Sequence, residues 1–277
     1  MFSILIPTWN NKAFLQLCVE SVKKHARVET QIIIHVNDGS DGTLQWVKQQ
    51  GLDYTYTAQN EGVCVAVNMA GKLARYDYIV FMNDDMYVLP GWDTRLMQEI
   101  KRLETDCFMI SSTMIEPYDT HNKCVLVGNY GTTVNDFKEE QLMADFAGFK
   151  MPDWSGSTWP PSVVHKKWWN KVGGYSEEFS PGMSSDDDFA MKMWDAGCRM
   201  FKGLGESRVY HFISKSTGRV VKNDGRQQFF NKWGVKQSTF HKYYLRRGEA
   251  YNGPLTEPGV SVGLAARKLM AYFAKRN

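Results

Sequence analysis

Over its first hundred residues the chain alternates short apolar runs with amphipathic stretches, and few folds accommodate that alternation. Residues 2–7, 32–36, 54–58, 78–82 and 108–113 read as strands, being apolar or β-branched and bounded by turn residues. Between them, residues 12–25, 43–50, 63–74 and 91–104 carry apolar side chains at helical spacing, as in Phe14, Leu15, Cys18, Val19 and Val22. Repeated βαβ units predict a mostly parallel, doubly wound sheet with helices on both faces. Such sheets bind ligands outside the carboxyl ends of their strands. Polar residues cluster at those ends: Thr8-Trp9-Asn10, Asn37-Asp38, Asn60 and Asn83-Asp84-Asp85.

Beyond residue 113 the periodicity weakens. Residues 114–159 are irregular and rich in Asn, Asp, Gly and aromatics, which suits a lid or an acceptor-side insertion. Regular signals resume at 162–164 and 186–196. The tail reads as helical pieces at 227–233, 238–247 and 263–275, the last two parted by Pro254 and Pro258. A net charge of +3 is too small to name a nucleic-acid or membrane partner. No apolar run approaches the roughly 18–20 residues of a membrane span, and no basic leader precedes the first one. Five scattered cysteines without CxxC spacing point away from a disulfide framework or a zinc site and towards a reducing cytoplasm.

Three constellations carry chemistry. Asp84 and Asp85 follow an apolar strand directly; adjacent carboxylates suit Mg²⁺ or Mn²⁺ held jointly with substrate phosphates, although such a pair is also an ordinary solvated turn. Asp186, Asp187 and Asp188 open a helix. Acids there are stabilised by the helix dipole, and Ser185 with Asp188 nearly forms a capping box, so Asp188 is assigned to capping. Trp154 and Trp159 flank a Ser-Gly-Ser-Thr loop, where exposed rings would stack on an acceptor sugar, while Trp168, Trp169 and Trp194 read as core. In the tail, Arg267, Lys268, Lys275 and Arg276 surround apolar positions. That pattern fits a helix docked on the core, a peripheral contact with the inner membrane face, or a nucleic-acid contact.

The order of these motifs resembles the family-2 glycosyltransferases with a GT-A fold, over residues 2 to about 219. The family's Pro-Thr-Tyr-Asn-like turn is matched by Pro7-Thr8-Trp9-Asn10, and its Asp-Asp-Gly-Ser-like turn by Asn37-Asp38-Gly39-Ser40. Its Asn-x-Gly-x-x-x-Ala-x-Asn pattern is matched from Asn60 through Gly62 to Asn68, and its DxD-type motif by Asn83-Asp84-Asp85. Departures are Asn37 for an acid and Trp9 for Tyr. The resemblance implies that Thr8 and Asp38 contact the base and ribose, with Asn60 and Asn68 lining the same pocket. Asp85 would be the main metal ligand, and Asp84 would contact ribose or an outer-sphere water. Asp186, with Asp187 as alternative, would be the general base, and the upstream Gly173-Gly174-Tyr175-Ser176-Glu177 matches the family's Gly-Gly-Phe-Asp-Glu segment. His211 would complete the site for Mn²⁺ or Mg²⁺, and Lys215 and Arg219 would lie on a loop over the diphosphate. The expected activity is inverting transfer from a UDP- or GDP-sugar to a glycan or lipid-linked glycan hydroxyl. Alternatives are a retaining GT-A transferase, a sugar transferase acting on modified nucleic acid, and a binding protein without turnover. The expected organisation is a catalytic domain at 1–220, with a nucleotide-sugar half to about 113 and an acceptor half from 114, and a helical extension at 221–277.

Overall fold

Strand β1 (Phe2–Trp9) is apolar on both faces, and both faces are covered. Phe2, Ile4 and Ile6 pack with Leu15, Cys18, Val19 and Val22 of helix α1 (Lys12–His25). Leu5 points the other way, into a cluster with Ile33, Cys64 and Val67. A strand buried on both sides reads as a continuous apolar run, as residues 2–6 do. Strand β2 (Thr30–Asn37) and, after helix α2 (Thr43–Gln49), strand β3 (Asp53–Thr57) add in parallel on one side of β1. Helix α3 (Val63–Gly71) then carries the chain across, so that β4 (Tyr78–Phe81) adds in parallel on the other side. Strand order therefore reverses between β1 and β4, and a crevice opens at their carboxyl ends.

The computed structural model describes residues 1–214 and 221–259. Further along lie β5 (Met86–Val88), α4 (Trp92–Arg102), β6 (Phe108–Glu116), β7 (Val125–Val127), α5 (Glu139–Asp145), β8 (Trp154–Ser155) and β9 (Ser162–His165). They are followed by α6 (Lys166–Val172), α7 (Ser185–Asp195), β10 (Met200–His211), α8 (Gly225–Trp233) and the short turn α9 (Gln237–Thr239). Among the described residues the sheet order is β3-β2-β1-β4-β9-β6-β10-β5, with β7 on β6 and β8 on β10. The parallel half is as expected from the βαβ pattern. Past β4 the sheet becomes mixed, because β9 runs antiparallel between β4 and β6, and β5 antiparallel on β10.

Strand β10, twelve residues long, has no strand-like pattern in sequence. Gly203, Gly205 and the charged residues Lys202, Glu206 and Arg208 interrupt it, and its register on β6 shifts between Leu204 and Arg208. The glycines answer a packing need. A Cβ on Gly203 would fall 1.8 Å from the Trp154 indole, and one on Gly205 would fall 1.9 Å from the Met151 carbonyl oxygen. Residues 221–259 share the second core cluster: Phe229, Phe240, Leu245 and Leu255 sit with Trp194 and Phe201. The helical piece expected at 263–275 lies outside the described residues, with Arg267, Lys268, Lys275 and Arg276. No helix among the described residues is long and apolar enough to cross a membrane.

Candidate active site

The four polar strand ends converge on one cavity of about 380 Å³ at the order reversal. Pro7, Thr8 and Trp9 line it from β1, Asn37 from β2, Asn60 and Gly62 from the turn after β3, and Asn83, Asp84 and Asp85 from the end of β4. Gly62 holds a φ of +86°, and a Cβ there would meet Pro181 Cα at 2.8 Å, so the tight wall on that side requires glycine. Asn60 shapes the same turn by accepting the Gly62 N–H at 3.0 Å.

Asp84 and Asp85, adjacent in the chain, serve different partners. Thr8 Oγ1 donates to Asp84 Oδ2 at 2.6 Å, so the Thr8 hydroxyl orients a carboxylate inside the cavity wall. Asp85 Oδ2 accepts the Ser214 N–H at 2.7 Å, and its Oδ1 lies 3.5 Å from His211 Nε2. The other ring nitrogen, Nδ1, is 3.0 Å from Glu116 Oε1. Sheet register creates this row: His211 pairs across from Met86 on β5, while Tyr210 pairs with Ile115 on β6, next to Glu116. Burial alone would lower the His211 pKa, but the Asp85 charge and the hydrogen bonds to Asp85 and Glu116 raise it to about 10. Burial likewise opposes ionisation of Asp85, yet the His211 charge and hydrogen bond and the Ser214 N–H hold its pKa below the ordinary value.

The donor set fits a hard or borderline divalent cation. A carboxylate oxygen and an imidazole nitrogen converge on the cavity, with the far side of the imidazole buttressed by a second carboxylate. Among the described residues no group of three or more His, Cys, Asp or Glu side chains is placed to hold an ion unaided. A cation there would need ligands from a diphosphate and from water, the usual arrangement for Mg²⁺ at phosphate sites.

Asp186, in the first turn of α7, lines the same cavity. Tyr175 donates its hydroxyl to Asp186 Oδ1 at 2.8 Å. Burial pushes the Asp186 pKa up, the Tyr175 hydrogen bond pulls it down, and the Asp187 charge raises it again, leaving it at about 7. Asp187 is turned away from the cavity. Burial opposes its charge too, but the His241 hydrogen bond and the Arg247 charge prevail and hold it at about 2. An ionised carboxylate with its lone pairs engaged is a poor proton acceptor, whereas one near neutrality facing a cavity is a good one.

Several expectations need correction. Asn68 does not line the cavity: its amide is engaged with Tyr175, donating to the carbonyl at 2.8 Å and accepting the N–H at 2.8 Å, which staples α3 to the 173–175 loop. Trp154 offers no exposed face. It is buried over Gly203, donates Nε1–H to Thr113 Oγ1 at 2.9 Å, and stacks on Trp159 with centroids 5.7 Å apart. Trp159 is half-buried, outside the cavity lining, and lies under the Arg247 guanidinium at 4.5 Å. Asp188 forms no capping box, since its carboxylate accepts Trp233 Nε1–H at 2.8 Å and pairs with Lys232 at 3.0 Å. Asn10 and Asp38 join the β1 and β2 turns by an Asn10 Nδ2 to Asp38 Oδ2 hydrogen bond of 2.6 Å, beside the lining residues rather than among them. Trp169 and Trp194 are buried, and Trp168 is half-buried, bonded to Asp106 and covered by Lys171. Lys215 and Arg219 lie outside the described residues, immediately after Ser214. Glu116, His241 and Arg247 carried no signal in the sequence, because their neighbours in space are 54 to 95 positions away.

The crevice at the reversal of strand order is thus lined by Asp84, Asp85 and His211 and also by Asp186. The family model for glycosyl transferase family 2 matches residues 3–151, more than half of the chain. The chain belongs to that family. It is 26% identical over 239 residues to the hyaluronan synthase of Pasteurella multocida, covering 76% of this chain and 24% of that protein. Against the chondroitin synthase of Pasteurella multocida (strain Pm70) the identity is 23% over 238 residues, with the same two coverages. The chain thus spans about a quarter of the length of these relatives. Its fold is the GT-A fold of residues 1–349 of Staphylococcus aureus TarS, with a TM-score of 0.57 at 17% identity over 76% of this chain and 60% of that one. That TarS fragment has been solved with UDP and with UDP-GlcNAc.

Proposed function

We propose that this chain catalyses transfer of a sugar from a UDP-sugar to a hydroxyl of a carbohydrate acceptor, with inversion at the anomeric carbon. The observation that carries this reading is the division of labour across one cavity: Asp84, Asp85 and His211 on the wall at the β4 and β10 ends, and Asp186, titrating near 7, on the α7 wall. Asp186 takes the proton of the acceptor hydroxyl as that oxygen attacks the anomeric carbon from the face opposite the diphosphate. The new carbon–oxygen bond forms as the bond to the diphosphate breaks, and the nucleoside diphosphate leaves with the bonding pair. Asp85 and His211 would hold Mn²⁺ or Mg²⁺, which neutralises charge on the leaving diphosphate when bound. Thr8 keeps Asp84 turned into the donor side. Uridine as the base is supported by the TarS complexes, and a carbohydrate acceptor by the two synthases.

The test is release of the nucleoside diphosphate, UDP or GDP, from a panel of UDP- and GDP-sugars with Mn²⁺ and short oligosaccharide acceptors. Asp186→Asn is expected to lower turnover by 10² to 10⁴, roughly the contribution of a positioned base, with nucleotide affinity retained. Because the base acts deprotonated, native turnover should fall as pH drops through about 7. Tight nucleotide binding with no metal-dependent release from any donor would overturn the assignment. Anomeric NMR of the product checks inversion.

A further inference from the structure

Asp187 is held by residues from outside its own helix. Its Oδ1 accepts from His241 Nε2 at 2.6 Å and from Arg247 Nη2 at 2.7 Å, and its Oδ2 accepts from Gln237 Nε2. All three donors lie between 237 and 247, well past the residues that match the family model. Arg247 reaches further. It donates to Thr158 Oγ1 and covers Trp159 with its guanidinium plane at 4.5 Å. Its neighbours zip onto the same loop: Gly248 N–H donates to the Ser155 carbonyl at 3.0 Å, and Ser155 N–H to the Glu249 carbonyl at 2.9 Å. Gly156 admits this approach, since its φ is +92° and a Cβ there would lie 2.7 Å from Arg247 Cα. The loop continues to Pro160, which lines the cavity. One arginine therefore joins the first turn of α7 to a wall of the active site.

We propose that Arg247 is a positioning residue for the reaction: by pinning Asp187 to the 155–160 loop, it fixes the first turn of α7 so that Asp186 faces the cavity as a base. The inference rests on the reading of Asp186 given above. The charged and titratable groups around Asp186 are the Tyr175 hydroxyl from the 173–175 loop, Cys64 from α3, Asp187 from its own helix and Arg247 from the tail. Asp188 is turned to Trp233 and Lys232. Arg247 favours the deprotonated form of Asp186, while Asp187 opposes it. Removing the guanidinium leaves the opposing charge and unties Asp187 from the 155–160 loop, with only His241 and Gln237 still on its carboxylate. Proton loss from Asp186 should then require a higher pH.

The experiment compares native protein with Arg247→Gln, Arg247→Lys and Asp186→Asn in the full chain. With aspartate carboxyls labelled in ¹³C, an NMR titration follows the resonance that disappears in Asp186→Asn. In Arg247→Gln its midpoint should rise by about one pH unit or more, with Arg247→Lys in between. Turnover is read as UDP release from UDP-GlcNAc, or from the UDP-sugar that the native chain uses fastest, with Mn²⁺. At pH 7 Arg247→Gln should lower kcat about fivefold or more and leave the donor KM within twofold. The deficit should shrink at pH 9, and Arg247→Lys should recover most of the loss. An Arg247→Gln variant that titrates and turns over like the native chain overturns the proposal, as does a deficit independent of pH. Should Arg247→Gln fail to fold, Thr158→Ala removes one of the arginine's anchors and must shift the midpoint in the same direction. Asp186→Asn with native turnover would sink the base assignment itself, whereas an inactive Asp186→Asn beside an unaltered Arg247→Gln sinks only the role of Arg247.

Discussion

Asp186 and Asp187 show how far neighbouring carboxylates diverge when their surroundings differ. One faces a cavity with a tyrosine hydroxyl for company and titrates near 7; the other accepts from an imidazole, a guanidinium and an amide and titrates near 2. Pairs pushed apart in this way mark acid–base assignments in enzyme sites. Glu116 works at the same scale. It grips His211 Nδ1 and so fixes which nitrogen faces Asp85. Outer carboxylates of this type are worth about 10- to 100-fold in metal affinity. Glu116→Gln should therefore weaken Mn²⁺ binding by that factor in an EPR titration with UDP present, and Asp85→Asn should weaken it further. Equal affinity in Glu116→Gln and the native chain would remove Glu116 from the site.

At the level of elements, the long strand β10 owes its shape to what covers it. Gly203 leaves room for the Trp154 ring, and Trp154 in turn supports Trp159 and, through it, Arg247. A tryptophan expected to greet a substrate instead props the loop that forms a cavity wall. Trp154→Ala should cost about 3–5 kcal/mol of stability, the range for emptying a buried aromatic site, measured as a lowered urea midpoint with an unchanged slope. A loss below about 1 kcal/mol would show that the ring is not part of the packed core. The Asn68 staple belongs to the same scale. Its paired bonds to Tyr175 set the loop that carries the hydroxyl donated to Asp186.

For the molecule as a whole, the reversal of strand order places the crevice, and its walls come from residues as distant as Pro7 and Ser214. A donor bound there bridges the parallel half to β10 and α7, so binding should stabilise the fold globally. At 100 times its dissociation constant, UDP with Mn²⁺ should add about 2.7 kcal/mol, seen as a rise in Tm that Asp85→Asn largely removes. A GDP response larger than the UDP response would reassign the base.

The sequence alone determined the parallel half, because βαβ units leave their apolar periods in local stretches, and strand ends such as Thr8, Asn37, Asn60 and Asp84–Asp85 follow directly in the chain. It also marked Asp186 and His211 through motif order. Only the tertiary structure separated Asp186, which lines the cavity, from Asp187, because that difference lies in the donors supplied from residues 237–247. The same holds for Glu116, brought to His211 by strand register, and for Trp154, hidden by a glycine in a strand with no visible period. The physical reason is common to all three. Local pattern records which way a side chain faces on its own element, whereas protonation, metal affinity and burial depend on what another element brings against it.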